Sequence, residues 1–333
     1  MIIGAGLSGC TAASKLAEHG VEVILVEKSP HIGGKVRLYG CKAVDDKCNN
    51  CGVCLTCGLW EKVLRNPNIR VLTNSLVKDV IGKPGDFTAV VGDVHRVRYF
   101  DKLDAIVVST GFESQTSGMS SHLHIEGTEG LMTGLQLEEQ LLGRTRTQLF
   151  DSAPSSVAFI QCFGSRDEKE GGLYCSRVCC GYATRAAKVL RSYYPACEIV
   201  FFYMELQNVK SGNYYAELKE LGMEFIKCRP LTITGGKPVV LAYDDPVNGE
   251  ALRTFDLVIL SEGIHAGSDN ENISLSCGLG QNEYGFLHGV DSNPGIYVSG
   301  CAKMLMKIEE AYADSLATVG EILTSVPEGG IVP

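Results

Sequence analysis

Four cysteines in one short segment could together hold an iron–sulfur cluster. They follow the pattern C-x12-C-x3-C-C, and the set is Cys162, Cys175, Cys179 and Cys180. Cysteine thiolates that converge from turns are the usual ligands of a [4Fe–4S] cluster. The same residue types also suit a structural zinc ion or a redox-active dithiol pair, and both alternatives stay open on spacing alone.

A second cysteine group lies in the segment GCKAVDDKCNNCGVCLTCG at 40–58. Its C-x2-C-x2-C run resembles half of a bacterial ferredoxin motif, although the next spacing is two residues rather than three and no proline follows. A second cluster, a contribution to a cluster or partner interface, and inert or zinc-bound cysteines remain open alternatives. The group consists of Cys41, Cys48, Cys51, Cys54 and Cys57.

The chain of 333 residues has 14 cysteines, more than an intracellular enzyme of this size normally carries. In a reducing compartment they would not persist as structural disulfides, so metal or redox chemistry is the expected use. The isolated cysteines are expected to be small buried apolar side chains. These are Cys10, Cys197, Cys228 and Cys277.

A glycine-rich turn at the start of the chain is typical of a dinucleotide-binding βαβ unit. Gly4, Gly6 and Gly9 form the GxGxxG fingerprint, in which the helix N-terminus faces a pyrophosphate. Glu27 ends the next predicted strand, where a carboxylate would accept hydrogen bonds from an adenosine ribose. The pattern predicts a flavin or nicotinamide site, with an ordinary βα turn as the alternative.

The elements that must position these residues alternate between strand and helix. A helix to Gly20 and a strand at 21–27 follow the glycine turn, and the rhythm restarts with a strand at 157–161 and a helix after Cys175. We therefore expect an α/β protein with two dinucleotide-type domains. The first would comprise 1–115 plus 265–333 and bind FAD, with the cysteine-rich insertion 41–57. The second, 150–264, would carry the iron–sulfur motif.

Three sequence features resemble two-dinucleotide flavoproteins of the thioredoxin-reductase type, and they favour FAD over NAD. Gly33-Gly34 matches the glycine pair of their extended fingerprint, with backbone amides near Lys35 lining the phosphates and flavin. VVSTG at 107–111 and GIYVSG at 295–300 resemble their later strand ends. The predicted cofactor-binding residues are Gly4, Gly6, Leu7, Ser8, Gly9, Glu27, Lys28, Gly33, Gly34, Lys35, Thr110, Gly111, Gly300, Cys301 and Ile308.

Cys301 departs from this resemblance, since those families usually place Asp after the last glycine. We expect the ribityl chain to be contacted by backbone amides and by the N-terminus of the helix after Cys301. The dipole of that helix would stabilise a reduced, anionic flavin. A thiol adduct of Cys301 with the flavin is the alternative.

The segment QCFGSRD…LYCSRVCC resembles the A-type subunit of heterodisulfide reductase and its short relatives, as do NPNIRVLTNS at 66–75 and GIYVSGCA at 295–302. The resemblance implies that Cys162, Cys175, Cys179 and Cys180 ligate a [4Fe–4S] cluster near FAD. The added ferredoxin domains of the long forms are expected to be missing. The chain would then be similar to the flavin and iron–sulfur component of sulfur-oxidising heterodisulfide-reductase-like complexes, or to the flavin subunit of quinone-interacting oxidoreductases.

The function implied is that of an oxidoreductase subunit whose FAD converts between two-electron and one-electron transfer. Expected partners are B- and C-type subunits of the complex and electron carriers, and a homodimer is common in this fold. Cys162-Phe163-Gly164 stands where a second GxGxxG would bind NAD(P)H, so electrons would pass through partners or a sulfur substrate.

Two rival functions follow from the same residues. A stand-alone pyridine-nucleotide disulfide oxidoreductase would use Cys48/Cys51 or Cys51/Cys54 as its dithiol. An assembly scaffold with a structural metal would hold no flavin.

Charge and hydropathy exclude other classes. The formal net charge of −9, without a Lys/Arg run, argues against a nucleic-acid partner. No apolar segment approaches the ~18 residues of a membrane span, and Met1–Ile3 leads straight into the glycine turn. We expect a cytoplasmic protein.

Overall fold

The computed structural model describes residues 1–114, 128–142, 149–166, 172–207 and 214–325. Within these ranges the chain forms two compact units, Met1–Arg37 with Gly52–Glu113 and Ala266–Pro333, and Leu38–Cys51 with Ser114–His265. The sequence-based division kept the whole insertion 41–57 in the first domain, whereas the contacts group 38–51 with the second unit. The stretch 112–152, which we expect to connect the two domains, lies in part outside the described residues.

The first unit is built on a parallel sheet of five strands in the order β20-β7-β1-β2-β3. Its strands β1, β2 and β7 consist almost entirely of buried aliphatic residues, as expected for a parallel sheet covered on both faces. The elements are β1 (Ile2–Ile3), α1 (Leu7–Glu18), β2 (Val23–Val26), α2 (Leu59–Arg65), β3 (Ile69–Leu72), β4 (Leu76–Lys83), β5 (Asp86–Gly92), β6 (Val97–Leu103), β7 (Ile106–Val108) and β8 (Phe112–Ser114).

The second unit repeats the plan with the parallel order β12-β11-β10-β16-β9. Strands β10 and β16 are buried along nearly their whole length and form the centre of its core. The elements are β9 (Leu131–Thr133), α3 (Gly134–Leu142), β10 (Ser156–Phe163), α4 (Cys179–Tyr193), β11 (Glu198–Phe202), α5 (Tyr214–Glu220), β12 (Glu224–Ile226), β13 (Thr232–Thr234), β14 (Val239–Asp245), β15 (Gly249–Phe255), β16 (Leu257–Glu262) and β17 (Ile264–Ala266).

The chain then completes the first unit with α6 (Asn270–Cys277), β18 (Gly280–Gln281), β19 (Leu287–His288), β20 (Ile296–Val298) and α7 (Ile308–Ser325). Each unit also has an antiparallel three-stranded sheet, β4-β5-β6 in the first and β13-β14-β15 in the second. Because the carboxyl ends of parallel strands share one edge, each unit brings its βα turns together there. The predicted α/β class with two dinucleotide-type sheets is therefore the observed one.

Candidate flavin site and cysteine centre

The first βα turn brings the start of α1 very close to β1. A side chain at Gly9 would put its Cβ 1.9 Å from the Gly4 carbonyl oxygen, so only glycine allows this packing. Helix α1 begins at Leu7, and among the described residues no side chain caps its N-terminus. Its first amides and the positive end of its dipole are therefore available to an anion.

A second loop packs against this turn. Between them the two loops form a cradle that contains no side chains. A Cβ on Gly34, whose φ is +55°, would lie 2.9 Å from the Gly6 Cα. The amide of Gly33 donates to the carbonyl of Ala5 at 2.7 Å and holds the two loops together. Two glycines face to face give backbone amides close access to a pyrophosphate.

Polar groups around this cradle also suit a dinucleotide. Both carboxylate oxygens of the buried Glu27 accept main-chain hydrogen bonds, from Ala5 and Ser29, each at 2.8 Å. Each oxygen keeps a lone pair for a ribose hydroxyl. The hydroxyl of Thr110 is buried and makes no hydrogen bond within the described residues. An orphaned hydroxyl costs free energy unless a ligand or water satisfies it.

The two predicted lysines differ in their surroundings. Lys35 Nζ donates to the carbonyl of Phe112 at 2.6 Å, and burial lowers its pKa. Lys28 is more exposed and pairs with Asp269 near the start of α6. Lys35 is thus anchored in the interior of the first unit, and Lys28 is held at its surface.

The last strand delivers Gly300 and Cys301 to the same unit. A Cβ on Gly300 would lie 2.0 Å from Ser8 Oγ, so this turn packs directly on the start of α1. Burial raises the pKa of Cys301 to about 11, and its thiol donates to the Met306 carbonyl. Cys301 is therefore a neutral thiol at physiological pH.

Asp314 on α7 was not anticipated from the sequence. Its carboxylate accepts the Gly300 amide at 2.7 Å and also pairs with Lys303. The Gly300 amide is thus engaged within the protein, and α7 begins at Ile308, seven residues after Cys301. The predicted contact of the ribityl chain with backbone amides and with the N-terminus of this helix stays a prediction. Ile308 contacts the backbone of Gly52, where an added Cβ would lie 3.1 Å away.

In the second unit, β10 ends in a bulge that presents Cys162. The pairing of β10 with β16 shifts register between Ile160 and Phe163, and Cys162 itself has a φ of +57°. Bulges redirect side chains beside functional sites, and a left-handed conformation at a non-glycine residue costs about 1 kcal/mol or more. The strain is held by the surrounding contacts and directs this cysteine away from the regular pleat.

The N-terminus of α4 supplies two more cysteines. Helix α4 begins at Cys179, and within the described part of the chain no side chain caps it. The Cys179 thiol lies close enough to Cys162 and Cys180 for both neighbours to raise its pKa. Cys175 is close enough to interact electrostatically with Cys162 and Cys180, and its sulfur accepts the Arg177 amide at 3.4 Å. The predicted four-cysteine set is therefore brought together.

Interactions among these sulfurs shift their pKa values in opposite directions. The Cys179 thiol, with positive charge from Arg166 and Arg229, lowers the pKa of Cys162 to about 7. The pKa of Cys179 is raised well above its ordinary value by the same contacts with its neighbours. Contact with Cys179 lowers the pKa of Cys180. Burial raises the pKa of Cys175. Cys162 and Cys180 are therefore the two members of the set that favour the thiolate, the form that binds metals.

A network of hydroxyls fixes the loop that carries these cysteines. Ser165 and Ser176 are both buried, and their hydroxyls are 2.6 Å apart. The Ser176 hydroxyl accepts the Ile264 amide at 3.0 Å. A Cβ on Gly263 would collide with both serines, at 2.0 and 2.3 Å. Ser165 and Ser176, each close in sequence to a cysteine of the set, are therefore anchored to the chain just after β16, and the sequence analysis had singled out neither serine.

The second cysteine group is divided between the two units. Cys41, Cys48 and Cys51 belong to the second unit, and Cys54 and Cys57 to the first. All are exposed except the half-buried Cys51. The Cys48 sulfur accepts the Asn50 amide at 3.3 Å.

The described cysteines are not arranged around a site for one metal ion. Across the described residues, no three His, Cys, Asp or Glu side chains are arranged to hold one metal ion. The Cys162, Cys179 and Cys180 thiols are nevertheless close enough to shift one another's pKa values. Within the same ranges, every helix is too short or too polar to cross a bilayer.

Comparison with known proteins agrees with this architecture. Residues 2–50 match the NAD(P)-binding Rossmann-like domain family. Thioredoxin reductase of T. acidophilum superposes with a TM-score of 0.67 at 17% identity, over 97% of this chain and 96% of that one. Thioredoxin reductase of Lactococcus lactis gives a TM-score of 0.65 at 17% identity, with 98% of each chain covered. The fold is that of thioredoxin-reductase-like flavoproteins, as predicted.

Curated relatives narrow the family. The chain is 25% identical, over 99% of its length, to the A-type subunit of the ferredoxin/F(420)H(2)-dependent CoB-CoM heterodisulfide reductase of Methanosarcina acetivorans. The same identity and coverage relate it to an A-type iron-sulfur subunit of the CoB-CoM heterodisulfide reductase of Methanopyrus kandleri. The chain is thus similar to the A-type subunits of heterodisulfide reductase, the family that its cysteine motif resembles. It spans 53% and 65% of those two relatives.

Proposed function

We propose that this chain is an electron-transfer subunit of a heterodisulfide-reductase-like complex, carrying FAD in the first unit and a [4Fe–4S] cluster in the second. The observation that supports it most is the convergence of Cys162, Cys179 and Cys180, with Cys175 beside them, at the uncapped N-terminus of α4. Four thiolates in one place supply what a cluster needs.

The features of the first unit support the flavin. The Gly6–Gly34 cradle, the uncapped α1, the Glu27 carboxylate and the orphaned Thr110 hydroxyl fit a dinucleotide with its pyrophosphate at the helix start. Bound FAD would supply the exchange between electron pairs and single electrons. In this proposal the FAD domain remains 1–115 plus 265–333, and the cluster domain 150–264.

The wider setting is proposed from the relatives. Their names describe subunits of heterodisulfide reductases, so B- and C-type subunits and electron carriers are the proposed partners. We further propose a role in sulfur metabolism, a cytoplasmic location and a homodimer, with the chemistry at sulfur on a partner chain. Residues 41–57 would hold a second cluster or form part of a cluster or partner interface.

The first test is the iron, sulfide, zinc and flavin content of anaerobically purified protein, together with EPR of the reduced sample. About four iron and one FAD per chain would support the four-cysteine centre alone, and about eight iron would add the 41–57 group. Zinc, or no metal, would overturn the electron-transfer function. Flavin that NADH or NADPH bleaches directly would instead favour the stand-alone dithiol reductase.

Ligand variants test the assignment of the centre. Cys175→Ser and Cys179→Ser should each remove the cluster signal and leave FAD bound, because these residues belong to the unit that does not hold the flavin cradle. Cys228→Ser is the matched control in the same unit, a half-buried cysteine outside the motif, and should keep full iron. Full iron content in both ligand variants would contradict the assignment of these cysteines as cluster ligands.

A further inference from the structure

Two arginines face the strained cysteine of the centre, and no metal-ligand motif predicts either. Arg229, just beyond β12, donates from Nη2 to the main-chain carbonyl of Cys162 at 3.2 Å. Arg166, four residues after Cys162, lies close enough for its positive charge to help lower the pKa of the Cys162 thiol. Both guanidinium groups therefore contribute positive charge on the Cys162 side of the centre.

The Arg229 contact falls at the residue that most needs support. Cys162 is held at a φ of +57° in the β10 bulge, and its carbonyl also accepts the Ser165 amide at 3.0 Å. Two donors on one carbonyl stabilise a turn that would otherwise relax towards regular strand. Arg229 thus acts on both the backbone and the charge of the ligand residue.

One carboxylate modulates this positive charge. Arg166 Nη1 pairs with Glu205 Oε2 at 3.0 Å, with Arg166 30% and Glu205 60% exposed. An exposed pair is screened by water, so Glu205 cancels only part of the arginine charge. Arg166 and Arg229 thus place two permanent cations near Cys162, and Glu205 is a carboxylate that opposes the charge of Arg166.

We propose that Arg166 and Arg229 raise the reduction potential of the centre held by Cys162, and that Glu205 lowers it. This inference rests on the proposed cluster. Reduction adds one electron to a site that already holds four thiolates, and nearby positive charge stabilises the added electron. Arginine suits this role because its guanidinium stays charged at every physiological pH.

The experiment is a potentiometric EPR titration of the purified, cluster-loaded full chain, four test variants and one control variant. Arg166→Gln and Arg229→Gln should lower the midpoint potential, Arg229→Lys should stay near wild type, and Glu205→Gln should raise it. Arg253→Gln is the control, since this arginine of the same unit pairs with Glu198 and Glu224 instead of the cysteines. Opposite shifts from removing opposite charges are not expected of a purely structural role.

Each outcome of the titration supports or overturns the inference. A wild-type protein without an iron–sulfur cluster would overturn the proposed function and this inference with it. A loaded cluster whose potential is the same in Arg166→Gln, Arg229→Gln and Glu205→Gln would overturn only the inference. If Arg229→Gln loses iron, the remaining pair decides, because opposite shifts in Arg166→Gln and Glu205→Gln support the inference and equal potentials refute it.

Discussion

A buried ion pair joins the first part of the cysteine-rich segment to α3, and its removal has a predictable cost. Lys42 is 2% and Glu138 7% exposed, and the Lys42 ammonium donates to the Glu138 carboxylate and to the Gly40 carbonyl. Lys42→Met would leave the carboxylate buried without its cation. Breaking a buried pair from one side costs about 3–5 kcal/mol. The segment 38–51 should therefore open far more often.

Hydrogen exchange followed by mass spectrometry measures this opening directly. A loss of about 3–5 kcal/mol corresponds to an acceleration of roughly two to three and a half orders of magnitude in peptides covering 38–51 and 134–142. The double variant Lys42→Met/Glu138→Leu should recover most of the protection, because an apolar pair leaves no unpaired charge. Lys15→Met is the control, since Lys15 pairs with Glu18 at the surface, at 37% and 42% side-chain exposure. Equal acceleration in the single and double variants would refute the argument from desolvation.

Three further outcomes follow from contacts and burial. Gly34→Ala should lower the flavin content measured by absorbance, because the new Cβ would lie 2.9 Å from Gly6. Gly320→Ala in α7 is the control, since the space around Gly320 is open. It should leave flavin binding unchanged and stabilise the helix by about 0.5–1 kcal/mol in thermal melts. In the metal-free reduced protein, iodoacetamide should modify the exposed Cys48 well before Cys277, since burial raises the pKa of Cys277 to about 12; equal rates by mass spectrometry would contradict this. Burial raises the pKa of Glu262 above its ordinary 4.5, so the folded state holds that proton more tightly and stability should fall as pH rises above 4.5. Glu262→Gln should flatten this slope in denaturant titrations, and an unchanged slope would contradict it.

Local patterns account for the parts of the fold that were predicted. Apolar runs such as VILV at β2 and LVIL in β16 mark buried parallel strands, and helix α2 at 59–65 follows its own periodicity. The last helix, α7, begins only at Ile308, seven residues after Cys301. A short 3₁₀ turn at 300–302 and the hydrogen bond from the Lys307 amide to Glu310 delay it, and neither has a strong sequence signal.

The residues that sequence inspection missed act over long separations. Arg229 contacts the carbonyl of Cys162 from 67 positions away, and Glu138 pairs with Lys42 from 96. Only the tertiary fold brings such pairs together, so no local sequence spacing predicts them. Asp314 on α7 is closer in sequence to its partner, since it accepts the Gly300 amide from 14 positions away. An acidic residue on a helix is ordinarily interpreted as exposed to solvent.

In the proposed function, the two units use the same βα geometry for different anions. In each, a strand of the parallel sheet leads to a helix whose N-terminus lacks a side-chain cap among the described residues, at α1 and at α4. A pyrophosphate needs bare backbone at close range, which the glycines of the first unit provide. A cluster needs sulfur from side chains, and the second unit has Cys179 and Cys180 at that place. The same positive helix end cannot serve both ligands at once. If the cysteines hold a cluster, the second unit gains an electron relay by giving up its nicotinamide phosphate site.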